Sequence, residues 1–472
     1  MRRIKKMVNT PFFTQKKNPK ILFQFIDQFA PDFNAEALTD INAFRYVFPD
    51  EKHKQEKLNK VRHNLYQLIL QYIYYQYYIQ DNLINNIAIL NYAEDNGLVK
   101  VLKYHLNDVG KKQESLVLKS NNHFYLEYFL QQIRSRLTII EEKGDGDIHL
   151  EEVSAALDKF YILNKLILLS AQLMREKVFD KRMYNYMFKK EFLKNIAESK
   201  YLEVPIFNLW YHTFLLVQDK DNYQYYKKVR ELLEEQITQL PKIDIRNICG
   251  CLQNLARNFF PREDFFKEHF FLHRLQIDNG VFNYANSSYL TPSIFYNIVK
   301  VSLLLNETKW LEREFFPSHS YKYMSFDNNI YALCQAEIAF HRQEFKEASD
   351  LLLKYHSGEY KINHIFINFA KNRLLLKLYY ETNSPLFKAT IQANRTSITR
   401  EKMKSRDEPG HQLFAHRSFV NLINKLYLLR EKRNLSKIED LATAIRNMET
   451  EISNAKHPPE KDWLLQKLQQ LQ

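Results

Sequence analysis

Apolar residues recur at helical intervals along most of the chain, with short polar breaks between the periodic stretches. Spacings of three and four residues are typical of amphipathic α-helices, whereas a half-buried strand needs strict alternation. No segment sustains such alternation, so the pattern predicts an all-α protein with no β-sheet. The predicted helices cover about 20–30, 51–80, 82–95, 97–118, 122–142, 148–176, 183–199, 205–218, 222–238, 244–259, 262–277, 292–305, 308–316, 329–342, 344–355, 362–381, 385–400, 411–431, 434–455 and 460–471.

The clearest pair of elements is predicted at Asn329–Leu353, where two short helices would run antiparallel. Ala336 and Ala348 are small enough for the helices to approach closely, and Phe345 would be wedged between them. This pattern is typical of a tetratricopeptide-type helical hairpin. We expect these three residues to pack the repeat and not to contact a ligand.

Weaker copies of the hairpin pattern flank it on both sides. Positions equivalent to the packing residues recur 37 residues earlier, and one recurs 40 residues later. The equivalent residues are Val299, Thr308, Leu311 and Leu376. Regular tetratricopeptide units repeat at about 34 residues, so these spacings predict irregular, splayed hairpins. Stacked in order, such hairpins form a right-handed α-solenoid of tetratricopeptide-like (TPR-like) character.

Several of these helical stretches share a resemblance. The segments His149–Met174, Phe295–Phe315 and Asn372–Ser384, and the C-terminal run HPPEKDWLLQKL, look like parts of one family. The chain resembles a widespread group of uncharacterised, large helical proteins with tetratricopeptide-like repeats from Bacteroidota-type bacteria. The resemblance covers most of the chain from about residue 50. It implies a helical-repeat fold and brings no catalytic residues with it.

The composition suggests five segments along one continuous solenoid. The loop Glu141–Glu152 is the clearest interior boundary. The predicted segments are 1–20, a basic flexible N-terminal tail; 21–143, an N-terminal helical region; 148–291, a middle helical-hairpin region; 292–400, TPR-like repeats; and 401–472, basic and then amphipathic C-terminal helices.

The net charge of +13 is concentrated in two places. The first 20 residues hold seven Lys or Arg and no acid, and residues 391–437 hold eleven against four acids. Concentrated positive charge attracts acidic partners, among them nucleic acid. The candidate partner-binding residues of the second patch, called the basic cluster below, are Arg395, Arg400, Lys402, Lys404, Arg406, Arg417, Arg430, Lys432 and Arg433.

Cysteine usage and hydropathy point to the cytoplasm. Three cysteines cannot form a disulfide framework, which fits a reducing compartment. The basic N-terminus lacks the apolar core of a secretory signal. The uncharged run Leu65–Gln80 has 16 residues and is too short and too polar to span a bilayer.

Potential metal or catalytic motifs fail on spacing. A calcium loop starting at Asp145 would place His149 and Leu150 where an oxygen ligand and a glycine belong. His269 and His273 could face one side of a helix, but no third ligand or catalytic glutamate accompanies them. Cys249 and Cys251 lack a second ligand pair, and we expect them to be buried thiols. The sequence predicts no enzyme activity, no metal and no cofactor.

A tyrosine-rich run, QYIYYQYYIQ at Gln71–Gln80, permits two interpretations. Aromatic rings beside cations can stack on the bases of single-stranded nucleic acid. However, five tyrosines in seven positions surround a helix, and this distribution favours packing between helical layers. We therefore expect the run to be mainly core.

The leading functional prediction is a non-catalytic scaffold or adaptor that binds a protein or peptide partner, because stacked hairpins present a large concave surface. The alternative is a nucleic-acid-associated protein that uses the basic tail and the basic cluster. The sequence does not distinguish between oligomeric states.

Overall fold

The computed structural model describes residues 7–8, 10, 16–30, 33, 36–80, 82–116, 119–142, 148–179, 183–185, 189–284, 287–288, 290–319, 328–357, 365–404, 411–434, 441–455 and 459–471. These residues form two compact units, Met1–Phe214 (unit 1) and Leu215–Gln472 (unit 2). The five segments predicted from the sequence stay a prediction.

Helices account for nearly all the regular structure. In chain order they are α1 (Lys17–Asp27), α2 (Asp40–Val47), α3 (Gln55–Gln80), α4 (Asn82–Asp95), α5 (Val99–Glu114), α6 (Asn121–Glu142), α7 (Leu150–Phe179), α8 (Lys189–Ala197), α9 (Pro205–Gln218), α10 (Tyr223–Gln236), α11 (Lys242–Leu255), α12 (Arg262–Asp278), α13 (Pro292–Leu304), α14 (Thr308–Trp310), α15 (Asn328–His341), α16 (Phe345–Ser357), α17 (Ile365–Glu381), α18 (Phe387–Lys404), α19 (His411–Asn434), α20 (Leu441–Asn454) and α21 (Lys461–Gln469). Short 3-10 turns occupy Lys200–Glu203, Ile237–Gln239 and Ala256–Asn258, and a π-helical turn at Leu311–Phe315 follows α14.

One minimal β element departs from the prediction of no β-sheet. Asn283–Tyr284 (β1) pairs antiparallel with Ser287–Ser288 (β2), with Asn283 opposite Ser288. Strands in globular proteins usually have about five or six residues, so this two-residue pair is a local feature of one connection. The all-α prediction is confirmed for the described chain, while the handedness of a solenoid is not decided by these elements.

Five helices end in the same way, with one residue in the left-handed region. These residues are Gly97, Gly280, Asn306, Gln343 and Asn383, with φ between 50° and 64°. In each case the next residue's N–H donates back to a carbonyl in the last turn, as in Glu344 N to Ala339 O at 2.8 Å. This bond satisfies a carbonyl that the helix end leaves without a partner. The short breaks in the hydrophobic pattern therefore have a defined backbone structure.

The start of α13 has a clear capping signal in the sequence. Thr291 lies before Pro292, and the threonine Oγ1 accepts a hydrogen bond from the backbone N–H of Ile294 at 3.4 Å. Proline has the φ that a first turn needs and lacks only an N–H that the helix would not use. The predicted start of this helix at residue 292 is confirmed. At Ser384 and Pro385 the helix instead begins at Phe387, and Ser384 Oγ accepts from Leu386 N.

Each unit has its own hydrophobic clusters. In unit 1, one cluster centres on Leu22, Phe44 and Leu58 of α1–α3, and another on Leu90 and Ile133 of α4–α6. Burial of such side chains stabilises each by about 1.5–3 kcal/mol relative to exposure. The amphipathic pattern therefore acts through inter-helix packing within the unit.

The core of unit 2 contains the hairpin that the sequence singled out. Helices α15 and α16 pack against each other, with Ala336 and Ala348 completely buried in one cluster. Phe345 packs on the same cluster, and its ring is tilted by 54° to that of Phe340, with 5.5 Å between ring centroids. A second cluster joins α17 to α21 and includes Phe419 and Ile423. Both small residues are fully enclosed in the cluster that the two helices share, as the packing argument requires.

The tyrosine-rich end of α3 is only partly buried. Tyr74 and Tyr75 expose 59% and 48% of their surface, and Ile73 exposes 52%. The prediction that this run is core is therefore wrong for these residues. Tyrosines surround this helix, whereas its neighbours α1, α2 and α4 cover only part of its circumference. The side chains of residues 77–80 lie outside the described part of the chain.

Candidate functional site

Unit 2 contains two buried carboxylates that are held in the same manner. The first is Glu268 on α12. Helix α10 places Tyr226 and Arg230 one turn apart, so that both reach the same carboxylate. The Tyr226 hydroxyl donates to Glu268 Oε1 at 3.1 Å, and Arg230 Nε donates to the same oxygen at 2.8 Å. Burial and the adjacent carboxylate raise the pKa of Tyr226, so the hydroxyl keeps its proton and acts as a donor.

The second carboxylate, Glu337 on α15, repeats this arrangement. The Tyr296 hydroxyl donates to Glu337 Oε1 at 2.7 Å, and Lys300 Nζ donates to Oε2 at 3.0 Å. The separation from tyrosine to glutamate is 42 residues in the first arrangement and 41 in the second. A tyrosine, a cation one turn later and a distant glutamate thus form a repeated polar motif. The sequence analysis missed it because it compared only apolar packing positions.

The second arrangement is larger because Glu460 joins it. Lys300 Nζ donates to Glu460 Oε1 at 3.1 Å, and Lys377 Nζ on α17 donates to Glu460 Oε2 at 2.7 Å. Lys377 also lies 4.0 Å from Glu337 Oε2. Two lysines and two glutamates therefore form a continuous network in which every charge has an opposite neighbour, which buried charges require.

The electrostatics of the network favour the charged forms. Burial alone would lower the pKa of Lys300, but Glu337 and Glu460 outweigh it and raise the pKa. Burial alone would raise the pKa of Glu460, but Lys300, Lys377 and Arg373 hold it well below the usual range. Burial and Glu337 raise the pKa of Tyr296 well above its ordinary value. At neutral pH the network consists of fixed charges and a neutral phenol donor.

Glu460 belongs to a C-terminal segment, 459–471, that lies across several helices of unit 2. Trp463 Nε1 donates to Glu381 Oε1 at 2.9 Å, and Lys467 Nζ lies 2.8 Å from the same carboxylate oxygen. Arg262 Nε donates to Asp462 Oδ2 at 2.9 Å. We call Arg262, Lys300, Lys377 and Glu381, which hold this segment, the acceptor surface.

The segment has a second, apolar face. Leu464, Leu468 and Leu471 are 0–4% exposed and belong to the cluster that joins α17 to α21. Glu460 has φ 61°, a left-handed conformation that costs a non-glycine residue about 1 kcal/mol or more. Its ion pairs and the leucine packing hold the backbone in this conformation. The segment is therefore anchored from two sides.

Two cavities border the segment. The first has a volume of about 710 Å³ and the second about 610 Å³. Both are lined by Lys300, Leu304, Glu460, Asp462 and Trp463. Volumes of this size fall in the range of ligand pockets, about 300–1,000 Å³. Phe345, expected to have only a packing role, also lines the second cavity.

The basic cluster lies on α18 and α19. Arg395, Arg400, Arg417, Lys432 and Arg433 are exposed there. Arg430 differs, because its Nη1 donates to the carbonyl oxygen of Tyr380 at 2.7 Å and its guanidinium covers the Tyr380 ring. The side chains of Lys402 and Lys404, and all of Arg406, lie outside the described residues. The cluster stays a prediction as a partner-binding surface.

The histidine pair and the cysteines have local neighbours. His269 Nε2 lies 2.9 Å from the carbonyl oxygen of Gln253, and His273 Nδ1 lies 3.2 Å from Gln253 Nε2. Burial lowers the pKa of His269 to about 4 and that of His273 to about 3. The expectation of buried thiols at Cys249 and Cys251 is confirmed. Over the described ranges, no three His, Cys, Asp or Glu side chains group as metal ligands would.

Comparison with protein-family models, with curated proteins and with solved structures finds no match for this chain. None of the described helices combines the length and the apolar character that a membrane span needs. The functional argument therefore depends on the geometry of unit 2.

Proposed function

We propose that this protein is a non-catalytic scaffold or adaptor of the helical-repeat type that binds a segment of a protein partner. The observation that carries the proposal is the acceptor surface, which already holds a segment of this chain by ion pairs and a tryptophan hydrogen bond. Adjacent cavities leave room beside that segment. In this proposal the hairpins stack as a right-handed, TPR-like solenoid in a bacterial cytoplasm.

The chemistry of the acceptor surface supports peptide binding. It consists of three cations and one carboxylate, and the rings of Trp463 and Phe340 line the second cavity beside it. Lys377 lies over the Phe340 ring, 4.6 Å from its centroid. Peptides are commonly recognised by such a combination of apolar pockets and a few charged contacts.

A non-catalytic role is supported by the mutual pairing of the four charged groups in the network around Glu460. Lys300, Lys377, Glu337 and Glu460 each hold an opposite charge within 4.0 Å. A general base or nucleophile needs a free electron pair close to a reacting atom. Because the electron pairs of Glu337 and Glu460 accept hydrogen bonds from the two lysines, we assign these four residues a structural role.

The test is affinity purification of partners with the full chain from native lysate, with and without nuclease. Two variants accompany the wild type: Arg262→Glu on the acceptor surface and Lys309→Glu, an exposed residue of α14. We expect a defined protein to co-purify with the wild type and with Lys309→Glu, both before and after nuclease treatment. It should not co-purify with Arg262→Glu. Absence of any enriched protein, or equal retention by both variants, contradicts the proposal.

A nucleic-acid-associated role is the second candidate, because five cations of the basic cluster are exposed on α18 and α19. Binding through such cations weakens steeply with salt, by about 0.7 to 0.9 logarithmic units of affinity per tenfold salt for each phosphate contacted. The measurement is affinity for single-stranded RNA at rising salt, with the full chain and with Arg395→Gln combined with Arg417→Gln. No affinity at low salt rules this role out.

A further inference from the structure

Beside the network of Lys300, Lys377, Glu337 and Glu460 lies a further buried cation, Arg373, whose side-chain donors are incompletely hydrogen-bonded among the described residues. It lies on α17, one turn before Lys377, and is 8% exposed. Its buried Nε has no hydrogen-bond partner in the described part of the chain. A buried donor without an acceptor is unfavourable, more so when the group is charged. A bound water or ion is one way in which native proteins satisfy such a group.

The oxygens of Glu460 are already engaged in hydrogen bonds. Glu460 interacts electrostatically with Arg373. However, its Oε1 accepts from Lys300 and its Oε2 accepts from Lys377 at 2.7 Å. Both oxygens of Glu460 accept from lysines, and Arg373 Nε donates to neither of them. Arg373 lies beside the network and is one of the residues that line the first cavity.

The first cavity has an excess of positive charge. Its cationic lining residues are Arg257, Arg262, Lys300, Arg373 and Lys461, and its acidic ones are Glu460 and Asp462. Partial burial and the neighbouring Arg262 lower the pKa of Arg257, which shows that the two guanidinium groups repel each other. An anion in the cavity relieves this repulsion and attracts all five cations.

The remaining walls are aromatic. Phe369 lies one turn before Arg373, and its ring stacks on the buried His416 with 4.3 Å between centroids. Phe265 and Phe266 lie beneath the guanidinium groups of Arg257 and Arg262, at 5.1 and 5.3 Å from the ring centroids. Aromatic faces pre-order the guanidinium planes for contact with an oxyanion.

We propose that the first cavity binds an anionic side chain of the partner segment, a carboxylate or a phosphate, with Arg373 as its principal ligand and with an aromatic side chain of the same segment against Phe369 or Trp463. The inference rests on the proposed function and names the chemical class of the partner, an acidic or phosphorylated peptide. Arginine matches both anions because its fork presents parallel N–H donors to two oxygens. Arg257 and Arg262 supply long-range attraction at the cavity mouth.

The experiment measures retention of the full chain on immobilised seven-residue peptides with random flanks and a fixed central residue. The centre is glutamate, phosphoserine or glutamine. We expect retention on the glutamate or the phosphoserine set and not on the glutamine set. The stronger of the two anionic sets identifies the natural source of the anion. Equal retention on glutamine overturns the inference.

Variants locate the site. Arg373→Met is expected to weaken binding about tenfold or more, because a hydrogen bond to a charged group is removed. Arg257→Gln, at an exposed residue, is expected to weaken it about threefold through lost attraction. Lys309→Gln, away from the cavity, is the matched control and should change nothing. If Arg373→Met does not fold, the affinities of Arg257→Gln and Lys309→Gln for the anionic peptides are compared instead. Equal affinity of these two variants overturns the inference.

The outcomes separate this inference from the proposed function. A lysate partner that binds wild type and Arg373→Met equally leaves the scaffold role intact and overturns the anion site. Titration of the full chain with phenyl phosphate and with phenylacetate tests the cavity without any peptide. Binding of either molecule that depends on Arg373, combined with no peptide retention, supports the anion site and counts against a peptide-binding scaffold.

Discussion

Lys377 and Glu460 form a 2.7 Å ion pair although 83 residues separate them in the chain. The lysine lies on α17 and the glutamate immediately precedes α21. Because Glu460 also accepts from Lys300 of α13, one carboxylate joins three separated parts of unit 2. The C-terminal segment is thus part of the folded structure of that unit.

Removing the charge of Glu460 should destabilise unit 2. Glu460→Gln leaves Lys300 and Lys377 with only Glu337 to balance them, and loss of one partner from a buried ion pair costs about 3–5 kcal/mol. The measurement is the free energy of unfolding in urea. The neighbouring Asp462→Asn is the matched control, because the exposed pair of Asp462 with Arg262 contributes about 1 kcal/mol or less. Equal effects of the two variants would contradict the prediction.

Buried histidines should make unit 2 less stable in acid. His416 is completely buried, its Nε2 lies 3.0 Å from Asn394 Oδ1, and burial lowers its pKa to about 3. Asn394 Nδ2 donates to the carbonyl oxygen of Thr390, so Oδ1 is the acceptor and the imidazole proton is on Nε2.

The sign follows from proton uptake. Below the unfolded-state pKa of about 6.5, the unfolded imidazole binds a proton that the folded one does not. The free energy of unfolding therefore decreases as the pH is lowered from about 6.5 to about 3. His416→Gln should reduce the slope of unfolding free energy against pH by about 1.4 kcal/mol per unit between about pH 6 and about pH 4. An unchanged slope would show that His416 is already protonated in the folded protein.

Enlarging a small residue in the hairpin should also destabilise unit 2. Ala348 is 0% exposed in the cluster shared by α15 and α16. Ala348→Leu adds volume that the close helix pair cannot accept, at a cost of about 1–3 kcal/mol. Ala393→Leu, on the exposed face of α18, should stay within about 0.5 kcal/mol. Thermal and urea unfolding of both variants check the difference, and equal stability would remove Ala348 from the packing argument.

The repeated polar motif predicts matched effects at two tyrosines. Tyr226→Phe and Tyr296→Phe each remove a buried hydroxyl that donates to a carboxylate. Hydrogen bonds to charged groups contribute about 1.5–3 kcal/mol each, so both variants should lose about that much stability. The exposed Tyr223→Phe is the control for α10. A loss at only one of the two sites would mean that the motifs are not equivalent.

The helical architecture could be predicted because its signals are local. Hydrophobic spacing identifies the helices, Thr291 with Pro292 identifies a helix start, and Ala336 with Ala348 identifies a close helix pair. The exposure of Tyr74 and Tyr75 could not be predicted in the same way, because it depends on how many neighbours cover α3. A helical pattern specifies which residues share a face of the helix. It does not specify whether that face packs against another helix or is exposed to solvent.

The sequence by itself determined that this protein is helical and where most of its helices begin and end, since hydrogen bonding within a helix and capping involve residues a few positions apart. Only the tertiary structure decided that Glu460 joins Lys300 and Lys377, that the polar motif of Tyr226 is repeated at Tyr296, and that Arg373 lines a cavity while its Nε has no acceptor among the described residues. Contacts between residues far apart in the chain arise from the packing of whole helices. No local spacing encodes them.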